Sequence, residues 1–210
     1  DTVMGIRSVI QGQLPGAQRW RLRHYINQTQ VPPPHGSTLR VSRHPNAAFH
    51  FGCAVQAVQH SGDGLRIRTA RRSFEVDFAI VSTGFKIDWS LRPEYAAFAD
   101  QVRAWKHRFT PAPGEHDQEL ADSPDLGPLF QFQERTPGAC PGLDRVHCFC
   151  YPATLSHGAV SGDIPAISDG ARRLATGLAA AFYREDFDHH FAMLEAYADP
   201  ELLGDEWVPA

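Results

Sequence analysis

The chain has 210 residues, 42% of them hydrophobic and 21% charged, which suits one good-sized core or two smaller units and excludes wholesale disorder. A formal charge of −4 provides no basic excess for steering onto phosphates, so the short cluster Arg19, Arg21 and Arg23 reads as a solvated face rather than a nucleic-acid contact. Four cysteines are too few for a disulfide scaffold, no apolar run is long enough to span a membrane, and the N-terminal stretch has no signal-peptide core; a reducing cytoplasm is the expected compartment.

The opening "DTVMGIRSVIQ" has no initiator Met and reads as a helix already under way, so a part of something longer is expected. A helix before the Leu14-Pro15-Gly16 turn and a second across Arg19 to Gln28 are predicted, followed by "VPPPHG" as a connector, because proline lacks the N–H that a helix needs. From 38 to 82 the segments "TLRVS", "AAFHF", "AVQAVQHS", "LRIRTA" and "SFEVDFAIVS" read as short strands. Ser61-Gly62-Asp63-Gly64 supplies a hairpin turn. In "LRIRT", Leu65, Ile67 and Thr69 alternate with Arg66 and Arg68, the pattern of a half-buried strand. "FAIV" does not alternate and is predicted to be a central strand buried on both faces.

Between Leu91 and Phe109, Tyr95, Phe98, Val102, Trp105 and Phe109 recur at spacings of three and four, which predicts an apolar helical stripe. Residues 110 to 142 are rich in Pro, Gly and Asp, with "LFQFQ" as a short strand. "RVHCFCY" is predicted as a strand. A long helix is predicted to begin near Asp163 or Ile164, with Ile164, Ile167, Ala171, Leu174, Leu178 and Phe182 marking its apolar face and Pro165 in its first turn. Gly170, Ala171, Ala175, Gly177 and Ala179 keep its flanks small enough for close approach, and a last helix runs from Phe187 to about Ala198.

His147, Cys148, Cys150 and His157 suggest a metal, but they lack a CxxC and a second ligand pair, and the two cysteines share one face of a strand as small hydrophobes do. Ser156, His157, Ser161 and Asp163 suggest a hydrolase, yet neither serine has the glycine frame of a nucleophile elbow. The stronger pattern is a buried strand, a Gly/Ser-rich loop and a helix N-terminus, whose unpaired N–H groups suit a phosphate, a carbonyl or the electron-rich edge of a flavin. Ser161 or Asp163 acting only as a helix cap accounts for the same residues. In "DFAIVSTGFKIDW", Gly84 stands at the carboxyl end of an apolar strand, where ligands of open α/β sheets bind.

Together these stretches resemble two-dinucleotide-domain flavoproteins. "DFAIVSTGF" is similar to the strand and Ala-Thr-Gly that close the pyridine-nucleotide domain, with Ser82 for the alanine. "RVHCFCYPATLSHGAVSGDIPAISDGARRLATGLAAAF" is similar to their closing strand, loop and flavin-facing helix. The Thr-Gly-Phe form without a redox CxxC is closer to flavin-containing (class B) monooxygenases than to disulfide reductases. The resemblance implies an α/β fold, a partial two-dinucleotide-binding-domain arrangement with a β-meander and C-terminal helices. Residues 1–85 would end the NAD(P)H-binding region and 86–210 would be the C-terminal part of the FAD domain.

It also implies FAD and NAD(P)H as cofactors and a small-molecule substrate. Thr83, Gly84, Phe85, Ser156, Gly158, Ser161, Gly162, Asp163 and Ile164 would line the flavin, with backbone N–H groups near 163 to 165 supporting its anionic edge. His157 would act as a catalytic group that hydrogen-bonds a flavin carbonyl or an intermediate; an imidazole satisfied by its own loop is the alternative. No GxGxxG occurs, so a missing N-terminal dinucleotide-binding segment is an expected partner and weak FAD binding by this chain alone is expected. A homo-oligomer is allowed for. The rival reading is a non-catalytic α/β binding or interface module.

Overall fold

The computed structural model describes residues 10–29, 33–164, 166–206 and 208. It is a mixed α/β structure that divides into two units, one comprising 26–86 and the other 1–25 with 87–210. Residues 1–9 of the expected helix before Leu14, parts of the proline connector and Pro165 lie outside the described residues; Gln11–Gln13, which are described, form a 3-10 turn ahead of Leu14.

Unit 26–86 contains a three-stranded antiparallel meander, β1 (Val55–Ser61), β2 (Gly64–Thr69) and β3 (Ser73–Val76), in the order β1-β2-β3. Val58 pairs with Ile67, and Ile67 with Phe74. The β1–β2 connection has two residues, and Gly62 takes φ +62° at the first of them, the position that a type II′ turn gives to glycine. The alternation of "LRIRT" holds: Arg66 and Arg68 point to water while Leu65, Ile67 and Thr69 are at least partly covered. "TLRVS", predicted as a strand, is helical instead. It forms part of α2 (His35–Ser42), which starts directly after Pro34, with Ser37 and Thr38 N–H donating to the Pro34 carbonyl.

A second correction concerns "FAIV". β3 stops at Val76, and residues 77–86 run on without regular structure. Phe78 is 88% exposed and Ile80 is 93% exposed. A doubly buried strand needs neighbours on both sides. Among the described residues of this unit, none pairs with this segment.

The other unit is held by short turns packed around aromatic side chains. Helix α1 (Gly16–Thr29) places Trp20 in it; α3 (Gln118–Asp122), α4 (Thr154–His157), α5 (Ile167–Glu185) and α6 (Phe187–Glu195) follow. The predicted helical stripe of 91–109 is instead a series of 3-10 turns at Trp89–Leu91, Pro93–Tyr95, Ala99–Gln101 and Trp105–His107. Val102 to Ala104 are drawn into extended pairing, with Arg103 N–H donating to Gln133 O and its own carbonyl accepting from Asp125 N–H. The apolar residues are buried as expected, though not by a helix: Val102 and Trp105 are core, and Tyr95 and Phe98 pack on Phe132.

"LFQFQ" and "RVHCFCY" pair with each other. Phe132 N–H donates to Val146 O and Cys148 N–H to Phe130 O, around the antiparallel bridge Gln131–His147. One core collects Val102, Leu126, Phe130, Phe132, Leu143, Cys148 and Val160; a second joins Trp20, Trp105, Leu120 and Leu155. Among the described residues no helix is long and apolar enough to cross a membrane.

The small flank of α5 receives protein. A Cβ on Gly170 would stand 2.1 Å from the Val160 carbonyl oxygen, and one on Gly177 would stand 2.2 Å from a Leu129 methyl. These two glycines are therefore explained by close packing of the strand–loop segment against the helix.

Candidate functional site

The loop from Ser156 to Ile164 is built on α4, which is held at 154–157 by the Thr154 hydroxyl donating to Tyr151 O and ended by Gly158 at φ +79°. Burial of Leu155, Ser156 and His157 draws this turn into the core, whereas the chain from Gly162 to Ile164 emerges again.

Ser156 is a saturated hydrogen-bonding node. Its hydroxyl donates to Pro124 O at 2.9 Å and accepts from Trp105 Nε1 and Leu126 N–H, each at 3.1 Å. One donor and two acceptor sites are all that a hydroxyl offers. Its carbonyl accepts from Arg19 Nη1 at 2.6 Å. Ser161 is buried too, its hydroxyl donating to Cys150 O at 2.8 Å. Both serines tie the loop to neighbouring segments.

His157 is 6% exposed; its Nε2–H donates to Gly127 O at 2.9 Å and its ring packs tilted, at 53°, against Phe130 with centroids 4.3 Å apart. Burial, and next the nearby Arg173 guanidinium, push its pKa down to about 4, so the ring is neutral near pH 7. The satisfying partner is a distant backbone carbonyl, not the histidine's own loop as the alternative reading had it. Phe130 is held at φ +65°, in the left-handed region and fully buried. A non-glycine residue there costs about 1 kcal/mol or more. It is clamped by a Gly127–Phe130 turn, by Phe149 edge-on at 4.9 Å and by Arg173 over its face at 4.5 Å.

The helix mouth differs from the predicted one. α5 begins at Ile167, three residues later than the hydrophobic pattern placed it. The N–H groups of Gly162 and Asp163 donate to Ala159 O at 3.3 and 2.9 Å, and Asp163 O accepts from Ile167 N–H at 2.8 Å. The donors expected near 163 to 165 are thus partly consumed in a turn, and Pro165, by its chemistry, has none to offer. Gly162 is exposed with open space at its Cβ position, Ile164 is 86% exposed, and Asp163 is half-buried. Thr83, Gly84 and Phe85 lie in the other unit, exposed along the irregular segment after β3, with Gly84 at φ +92°.

Sequence reading missed Asp125. Its carboxylate is 2% exposed and accepts from Arg103 Nε and Arg108 Nη1, each at 2.8 Å. An Asp between prolines and glycines looks like a turn residue, and the two arginines that neutralise it come from a segment that the pattern made a helix.

The chain is similar to the FAD-dependent urate hydroxylase of Xanthomonas campestris pv. campestris, 29% identical over 184 residues, 88% of this chain and 38% of that protein. The chain thus spans about two-fifths of the length of that relative, and the similarity supports a distant relationship to an FAD-dependent oxidoreductase. No family model matches the chain, and no solved structure matches it.

Proposed function

We propose that this chain is part of an FAD-dependent oxidoreductase of the flavin monooxygenase type, which hydroxylates a small nitrogen heterocycle such as urate and takes its electrons from NAD(P)H. The similarity to an FAD-dependent urate hydroxylase along most of this chain is the observation that carries it. FAD, when bound, supplies the hydride-accepting and oxygen-activating chemistry.

The side chains of the 156–164 loop do not fit as direct ligands of that cofactor. The Ser156 hydroxyl is fully used inside the protein, the Ser161 hydroxyl donates to Cys150 O, and Nε2 of His157 serves the Gly127 carbonyl. These residues instead fix the shape of the loop, and the exposed stretch Gly162–Ile164 is what remains to meet a flat ring through backbone and apolar surface. His157, neutral and anchored, orients this loop and is a positioning residue in this reading.

The test is made on the product of the entire reading frame that encodes this chain. It is expected to purify yellow, to release FAD on denaturation, and to oxidise NAD(P)H faster when urate is added. Colourless protein that neither retains added FAD nor responds to urate overturns the reading and leaves a binding or interface module.

A further inference from the structure

Two thiols stand side by side in the extended segment 146–150 that precedes the loop. Cys148 and Cys150 project from one side of an extended segment, with Cys150 at φ −155° and ψ −172°, and their sulfur atoms lie 3.7 Å apart. Cys148 is buried in the core, while Cys150 is only half-buried. Beside Cys150 are the Arg92 guanidinium, itself hydrogen-bonded to Glu94 at 3.2 Å, and the Tyr95 hydroxyl. A cation and hydrogen-bond donors next to a partly open thiol favour its thiolate, and the thiolate is the nucleophile.

We propose that Cys150 and Cys148 form a reversible oxidation site, in which Cys150 first attacks a hydroperoxide and Cys148 then closes a disulfide onto it. In the first step the Cys150 sulfur displaces at the terminal peroxide oxygen: an S–O bond forms, the O–O bond breaks, and the departing alkoxide or hydroxide takes a proton from water. Sulfur is oxidised by two electrons and the peroxide is reduced. In the second step the Cys148 sulfur attacks the sulfenic sulfur; the S–S bond forms, the S–O bond breaks, and the hydroxide leaves as water with the Cys148 proton.

The electrostatics agree with this division of labour. The hydrogen bond from Cys148, then the Arg92 charge, hold Cys150 below the ordinary thiol range against its partial burial. The same pairing, with burial, pushes Cys148 up and keeps it the protonated partner. Burial raises the Tyr95 pKa to about 12, so its hydroxyl stays a donor. Glu94 is the acidic group nearby, and it is engaged by Arg92.

Two residues of extended chain span about 6.6 Å. That is near the upper limit of about 6.8 Å for bridged Cα atoms, so the bridge carries strain and is open to reduction by a small dithiol. Cys53 and Cys140 lie at other positions along the chain and serve as internal controls.

The test is to treat the reduced, unsubstituted chain with one equivalent of hydrogen peroxide, block the remaining thiols with a maleimide, and map tryptic peptides by mass. The peptide running from Val146 to Arg172 is expected to carry an internal disulfide that dithiothreitol removes, while Cys53 and Cys140 are recovered blocked. Without peroxide, Cys150 is expected to alkylate about tenfold faster than Cys53 at neutral pH. In Cys148→Ser a sulfenic acid should persist at position 150 and be trapped by dimedone, and Cys150→Ser should abolish both products. Oxidation falling first on Cys53 or Cys140, or a 146–172 peptide recovered with both thiols blocked, overturns the proposal. The mapping of the unsubstituted chain decides even if a variant fails to fold.

Discussion

Ser156 shows how a residue type that suggests chemistry can serve structure. Its hydroxyl joins Trp105, Leu126 and Pro124, groups from two segments that are distant in sequence. Ser156→Ala removes this node and leaves buried polar groups unpaired, for an expected loss of about 2–3 kcal/mol in urea unfolding, with Ser161→Ala costing less because it breaks a single bond. His157 makes a pH-dependent contribution. Its folded pKa, about 4, lies below the ordinary value of 6.5, so the folded state resists protonation. The stability associated with the neutral ring is present above pH ~6.5 and lost as the pH falls toward ~4, by on the order of 3 kcal/mol. His157→Asn is expected to flatten the decline of unfolding free energy between those pH values; an equally steep decline in the variant would show that other groups titrate there.

At the scale of elements, α5 and the segment after β3 give opposite lessons. The helix is legible from its apolar spacing, and its glycines signal close approach; which group approaches is fixed only in three dimensions. Gly170 faces a backbone carbonyl, which cannot move alone, while Gly177 faces the end of a flexible leucine side chain. Gly170→Ala is therefore expected to destabilise by about 2 kcal/mol or more. Gly177→Ala should stay within about 1 kcal/mol of the parent, because Leu129 can turn aside and alanine favours the helix. Thermal melts of the two variants make the comparison. After β3, the apolar "FAIV" has every mark of a buried strand, yet here it is exposed. In this chain Ile80→Lys is expected to change stability by less than about 0.5 kcal/mol. In the product of the entire reading frame the same change is expected to cost several times more if the segment is covered there. Equal, negligible effects in both would mean that nothing covers it.

At the scale of the whole molecule, the chain alone is expected to bind FAD more weakly than micromolar by isothermal titration, since the loop's polar side chains are engaged inside the protein; a submicromolar site would contradict this. Strand β2 and the hairpin at Gly62 were readable in the sequence because alternation and turn chemistry are local. So was the mixed α/β class. "LFQFQ" and "RVHCFCY", read as strands, are extended only around the single bridge Gln131–His147, and their pairing was not readable there. Nor was the run from Tyr95 to Phe109: its spacing fits a helix, but Val102 to Ala104 are held in extended form by 123–125 and 133–135, and no local pattern records those partners. Asp125 between two arginines, the committed hydroxyls of Ser156 and Ser161, and the strained Phe130 under His157 were equally invisible. The sequence by itself determined which residues are apolar enough to be buried and where the backbone can turn. Only the tertiary structure decided which polar groups are spent inside and which face outward, because that depends on which distant donor meets which acceptor once water has been excluded.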